Sequence, residues 1–141
     1  MTLPMILAPL FVLVLMTFVI GFVLAGVRGP LLTRGEVSPE AISLREPNWP
    51  PRALQLGYSF QNQFELPMLF YVLTILAIIS KHADLLFVVM AWIFVLTRLA
   101  HAFVHCTSNN LRVRGSLFGI GALVLAIMWL IFIVKIMLGL P

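Results

Sequence analysis

Tyr58-Ser59-Phe60-Gln61-Asn62-Gln63-Phe64-Glu65-Leu66-Pro67 places three side-chain amides and a carboxylate in the first half of an otherwise apolar helix. From Leu66 to Ile79 no charged residue follows, so Glu65 is not the polar edge of a soluble segment. An ionisable group in such a setting is costly and faces a protein interior or a wet cavity. The composition agrees: the 141 residues are 62% hydrophobic and only 10% charged, with a mean hydropathy of +1.10. Most of this chain must therefore meet lipid or pack between helices that do.

The net charge of +4 is scattered over single Lys and Arg residues with no basic run, a pattern that excludes nucleic acid as a partner. One cysteine, Cys106, rules out an internal disulfide and a thiolate-rich metal site. Near a helix end it reads as a small apolar filler.

Four spans are predicted, at about 3–27, 53–80, 85–106 and 115–140, in one membrane domain covering 1–141. The first, Leu3 to Val27, has no charge over 25 residues, roughly 37 Å of helix at ~1.5 Å per residue. It lacks the basic start of a signal peptide and is expected to be retained. Gly21, Ala25 and Gly26 offer a small-residue patch for a neighbouring helix. A polar loop over 28–52 follows, with turns expected at Gly29-Pro30 and Trp49-Pro50-Pro51. Within it, Ser38-Pro39-Glu40-Ala41 reads as a short helix with a serine cap and proline in its first turn.

Span two carries the opening decad, and Pro67 should kink it, because proline cannot donate to the Gln63 carbonyl. Lys81-His82-Ala83-Asp84 is a tight turn that makes spans two and three antiparallel neighbours. In span three, Arg98, His101 and His105 share one helical face. In span four, Gly115 and Gly119 form a helix-contact pattern, and Lys135 is placed to snorkel to the interface. Arg28, Arg34, Arg45, Arg52, Arg112 and Arg114 flank the first and third connections, against Lys81 and Lys135 on the other side. The positive-inside rule then puts those connections in the cytoplasm and both termini outside it, with a bacterial inner membrane as the expected location.

Counting from the shared end, Glu65 and Arg98 both lie roughly 12–20 Å deep. Registering one against the other also pairs Asn62 with His101 and Tyr58 with His105. A lone charge at that depth is expensive, so a Glu65–Arg98 pair is expected to staple the two helices. The groups above it would line a cavity whose cationic rim includes His105, Arg114 and Arg28. His101 and His105 at offset four would suit a metal, but no further Cys or His pair joins them, and none is expected.

Asn62-Gln63-Phe64-Glu65-Leu66-Pro67, Arg98-Leu99-Ala100-His101 and Arg114 resemble the MAPEG family, the membrane-associated proteins of eicosanoid and glutathione metabolism. Chain length, the four-span layout, the long first connection and the tight second turn agree with it. The resemblance implies an all-α, left-handed four-helix bundle assembled as a homotrimer, with sites between subunits near the cytoplasmic side. It implies a glutathione-dependent transferase or peroxidase acting on hydrophobic electrophiles. Arg28, Asn62, Glu65, Arg98 and His101 then correspond to glutathione contacts, and Arg114 to the arginine that stabilises the thiolate. Tyr58 stands where enzymatic members usually have arginine, and His105, also a candidate contact, where they have tyrosine. These two differences motivate the alternative of a non-catalytic membrane scaffold that retains the fold.

Overall fold

The computed structural model describes residues 1–141 as helices and turns with no strand. The helices are α1 (Leu3–Thr33), α2 (Pro51–Asn62), α3 (Leu66–Ile79), α4 (Leu85–Cys106) and α5 (Leu111–Leu138), with a 3₁₀ turn at Pro39–Ile42. Four segments are long and apolar enough to cross a membrane, α2 and α3 together making one of them. The result is a four-helix membrane bundle.

The core lies where α1, α3, α4 and α5 converge. Leu13, Phe70, Leu73, Ala77, Ala91, Phe94 and Val95 are fully buried there. The Phe70 and Phe94 rings pack with centroids 5.0 Å apart. The outward faces carry exposed Phe22, Phe103 and Leu130, which suit lipid rather than water.

Several boundaries differ from the sequence reading, each for a local reason. α1 runs through Gly29-Pro30 and ends where Gly35 takes a left-handed φ of 73°, so residues 28–33 belong to the helix rather than to the loop. At 31 residues the helix is ~46 Å long and outreaches the ~30 Å apolar slab, carrying Arg28 toward the headgroups. α5 starts at Leu111, ahead of the expected Gly115, because the Asn110 side chain accepts hydrogen bonds from the Arg112 and Val113 N–H groups. Arg114 therefore sits in the first turn of a helix. Nothing approaches Gly115 or Gly119 within this chain. Gly121 is where α5 meets α4, since a Cβ there would stand 2.8 Å from the Thr97 hydroxyl. Ser38 does cap the 3₁₀ turn, accepting from the Ala41 N–H at 3.3 Å.

At Pro67 the predicted kink is a full interruption. Gln63, Phe64 and Glu65 each donate their N–H to the carbonyl three residues back, at 3.0, 3.0 and 3.2 Å. Glu65 takes a non-helical backbone (φ −98°, ψ −107°) before α3 begins. The cause is Pro67, which has no N–H to give the Gln63 carbonyl and whose ring crowds that carbonyl. The Gln63 Nε2 donates to the Ser59 carbonyl at 3.1 Å and restores part of the lost bonding.

Lys135 does not simply snorkel. Its Nζ meets the Asp84 carboxylate at 2.5 Å and ties the end of α5 to the start of α4. Asp84 also caps α4 by accepting from the Phe87 N–H at 2.9 Å. Burial pushes the Asp84 carboxyl up, but the Lys135 hydrogen bond, the Phe87 N–H and the Lys135 charge outweigh it. Its pKa lies below the ordinary 3.8. A depressed folded pKa gives stability that is present above the unfolded value and lost as pH falls through the folded one. Asp84→Ala is therefore expected to cost about 1–2 kcal/mol at pH 7, chiefly through the cap. That deficit should shrink below about pH 4, as read by melting temperature across a pH series in detergent.

Candidate functional site

The site is built on α4 and anchored from α2. Arg52 donates from its guanidinium to the Cys106 carbonyl. The Gln55 Nε2 donates to the His105 and Thr107 carbonyls at 2.7 and 3.1 Å. A weaker link joins the Cys106 thiol to the Ser59 hydroxyl at 3.2 Å. These bonds fix the register of α2 on α4 and so decide what faces Arg98.

That partner is Asn62. One Arg98 Nη donates to the Asn62 Oδ1, and the guanidinium lies 5.7 Å from the Phe118 ring centroid. Arg98 is fully buried, and its Nε and other Nη have no partner. The expected Glu65–Arg98 ion pair does not form: the chain's one ion pair is Lys135–Asp84. The interruption after Asn62 breaks the helical register that the pairing assumed. It leaves Glu65 exposed at the edge of the site with no side-chain bond. The Asn62–His101 and Tyr58–His105 rungs are likewise absent as hydrogen bonds.

The residues still converge. Tyr58, Asn62, Glu65, His101, His105 and Arg114 line one cavity of about 430 Å³, completed by Gln61, Leu111, Gly115 and Phe118. His101 and His105 are buried, with ring centroids 5.7 Å apart. The Nδ1 of each is buried without a partner. Arg114 donates to the Asn109 Oδ1 at 2.5 Å. This wall combines two imidazoles, an amide and the first-turn guanidinium of α5, with the buried Arg98 behind Asn62 and Phe118. One free carboxylate, Glu65, lines the same cavity, so both an anion and an ammonium find a partner here.

Arg28 is the exception. It lines a separate cavity of about 580 Å³ beneath the first connection, of which Tyr58 and Gln61 form a shared wall. Its guanidinium lies 4.4 Å from the Trp49 ring centroid and donates to the Ala53 carbonyl at 3.3 Å. Glycine at 57 leaves room for this berth, since a Cβ there would crowd the Arg28 Nη2 and make the guanidinium shift. Arg28→Ala should cost about 1–2 kcal/mol in the native background, the scale of a cation–π contact and a hydrogen bond. In a Gly57→Ala background the same change should cost much less. A double-mutant cycle on melting temperature measures this coupling, and additive losses would count against it.

A family model matches residues 6–134, nearly the whole chain, and its description is the MAPEG family. The chain belongs to that family. It is an integral, multi-pass membrane protein whose surroundings are a lipid bilayer. No curated protein and no solved structure matches it. Within this MAPEG chain, the sequence reading missed Gln61 and Phe118 as cavity walls and Gln55 as the tie between helices. Phe118 lies four residues after Arg114 on the same face of α5. That signal becomes readable once the helix is known to start at Leu111.

Proposed function

We propose that this MAPEG protein is a glutathione-dependent transferase or peroxidase acting on hydrophobic electrophiles. The observation that carries this reading is the convergence of Asn62, Glu65, His101, His105 and Arg114 on one cavity, backed by a buried Arg98 with unused donors. A wall of imidazole, amide and guanidinium groups together with one carboxylate calls for a ligand that carries both acceptors and an ammonium, and glutathione, with two carboxylates and an ammonium, fits that set. When bound, glutathione would supply the thiol nucleophile, displacing halide from an aryl halide, or alkoxide from a peroxide as its O–O bond breaks. Arg114 favours the thiolate over the thiol by its charge, and the N-terminus of α5 adds to the effect. His101, His105 and Asn62 hold carboxylate and peptide groups, while Glu65 accepts the ammonium. The buried Arg98 keeps the Asn62 amide oriented.

The hydrophobic substrate enters sideways from the bilayer, and the polar thiol enters from the end bearing the first connection. The bias of arginines to that end supports a cytoplasmic mouth and extracytoplasmic termini, and a bacterial inner membrane is the proposed location. The Gly115–Gly119 face, open in the single chain, supports assembly with further copies, and we propose the family's homotrimer.

Thermal melting in detergent with glutathione and with glutathione sulfonate tests the reading. A ligand at ~100 times its Kd raises stability by about 2.7 kcal/mol. The expected result is a clear upward shift with both, together with saturable conjugation of an aryl halide. No shift at millimolar ligand would overturn it. The exposed Tyr58 at the cavity wall, which brings no cation, favours a second reading as a non-catalytic scaffold. A stoichiometric membrane partner on detergent pull-down would support that one.

A further inference from the structure

On the opposite side of the α2–α3 interruption lies another cavity, of about 490 Å³, between α1 and the helices that meet at the break. Phe18, Phe22, Phe60, Phe64 and Tyr71 line it, and Gln63 is the one side-chain amide among its walls. Its size is that of a small-molecule pocket. It shares no lining residue with the polar cavity of the proposed thiol site.

Gln63 is the anomaly. It is 1% exposed, and its Nε2 is committed to the Ser59 carbonyl. Its Oε1 is buried without any partner. Twelve residues from the start of α2, it sits ~18 Å along the span, where no lipid group can hydrogen-bond to it. An amide oxygen left unbonded on a residue that lines an aromatic cavity is an acceptor without a donor. The Thr17 hydroxyl of α1, also in the lining, is already used as a donor, to the Leu13 carbonyl at 2.9 Å. The pocket is also held open by a small residue: at Gly21 a Cβ would come 3.1 Å from the Phe60 ring.

We propose that this cavity binds a lipophilic, hydroxyl-bearing aromatic molecule of the phenol or quinol type, whose O–H donates to the Gln63 Oε1 while its ring lies among the phenylalanines. The aromatic walls favour a flat ring over an alkyl chain by edge and face contacts. The Gln63 Oε1 is the buried acceptor in this lining that has no donor of its own, and it selects an O–H over its ether. The site stands independently of thiol chemistry, since none of its residues belongs to the polar cavity.

The test uses the full chain in nanodiscs and two probes, 2-naphthol and 2-methoxynaphthalene, with empty nanodiscs subtracted. Saturable binding of the naphthol, about tenfold or more tighter than the ether, is the expected result, since one satisfied buried acceptor is worth that factor. Gln63→Leu should remove the preference while leaving the ether's affinity. Ala25→Phe, filling the pocket at its exposed rim, should weaken both probes, which keeps the proposal testable if the Gln63 variant fails to fold. Equal affinity of the two probes for the native protein overturns the proposal, as does a preference that survives Gln63→Leu. If the probes bind equally and Gln63→Leu yields a smaller species on light scattering, the oxygen belongs to a contact with a second copy instead.

Discussion

Arg98→Met is expected to melt a few degrees higher than the native protein without ligand, and to gain a smaller upward shift from the same concentration of glutathione sulfonate. The reasoning starts from what Arg98 lacks. It is fully buried, no carboxylate lies within ion-pair distance, and two of its nitrogens are unbonded. Replacing a buried charge by an apolar residue of similar volume is commonly neutral or stabilising, by about 1–4 kcal/mol, because the desolvation cost disappears. The Asn62 Oδ1 loses its donor, at about 1 kcal/mol, but Asn62 lines an open cavity where water can replace the bond. Arg98→Ala differs, because it leaves a void beside Phe118 and Gly121 and should destabilise by about 2–4 kcal/mol. Ligand binding in the methionine variant should weaken by about 10-fold, because the Asn62 amide loses the charged donor that orients it toward the cavity. Melting curves in detergent read both effects at once. A methionine variant that melts several degrees lower would mean that the guanidinium has a structural counter-charge, and the site reading would fail with it.

That contrast separates what hydropathy and spacing can convey from what they cannot. Four apolar helices are legible because a bilayer imposes length and composition directly. The common face of Arg98, His101 and His105 follows from an unbroken helix, so the periodicity argument holds there. It fails for Glu65, since Pro67 interrupts the helix and the backbone at Glu65 leaves helical geometry. Residues before and after a break no longer share a register, and a pairing drawn across it has no physical basis. Arg28 is a different failure. Its separation from the other cations depends on Trp49 folding back over it and on glycine at 57, a tertiary contact that local patterns do not carry. Asn110 is a matter of competing readings, because a polar residue in a turn is equally a helix cap. Choosing the cap moves the start of α5 to Leu111 and brings Arg114 and Phe118 onto the cavity. The Asp84–Lys135 bond joins residues 51 positions apart and follows only from the antiparallel packing of α4 and α5.

Arg114→Ala is expected to lower kcat/KM for conjugation of an aryl halide by about 10²–10³ near pH 7, the usual effect of removing a preorganised group that stabilises developing or stored negative charge. The pH dependence gives the prediction its specificity. A free thiol ionises near pH 8.5, so at pH 7 only a few per cent is thiolate and the guanidinium supplies most of the nucleophile. As pH rises above about 9, solution conditions ionise the thiol unaided, and the variant should recover a large part of its deficit. The native protein should change much less over that range. Arg114→Lys keeps the charge but not the forked donor, and should fall between the two. Stability should be nearly unaffected, within about 0.5 kcal/mol, because the residue's bond to Asn109 lies at an exposed turn. Rate profiles from pH 6 to 10 for the three proteins decide the matter. A deficit equal at every pH would assign Arg114 to holding the ligand in place and leave thiolate stabilisation to another group.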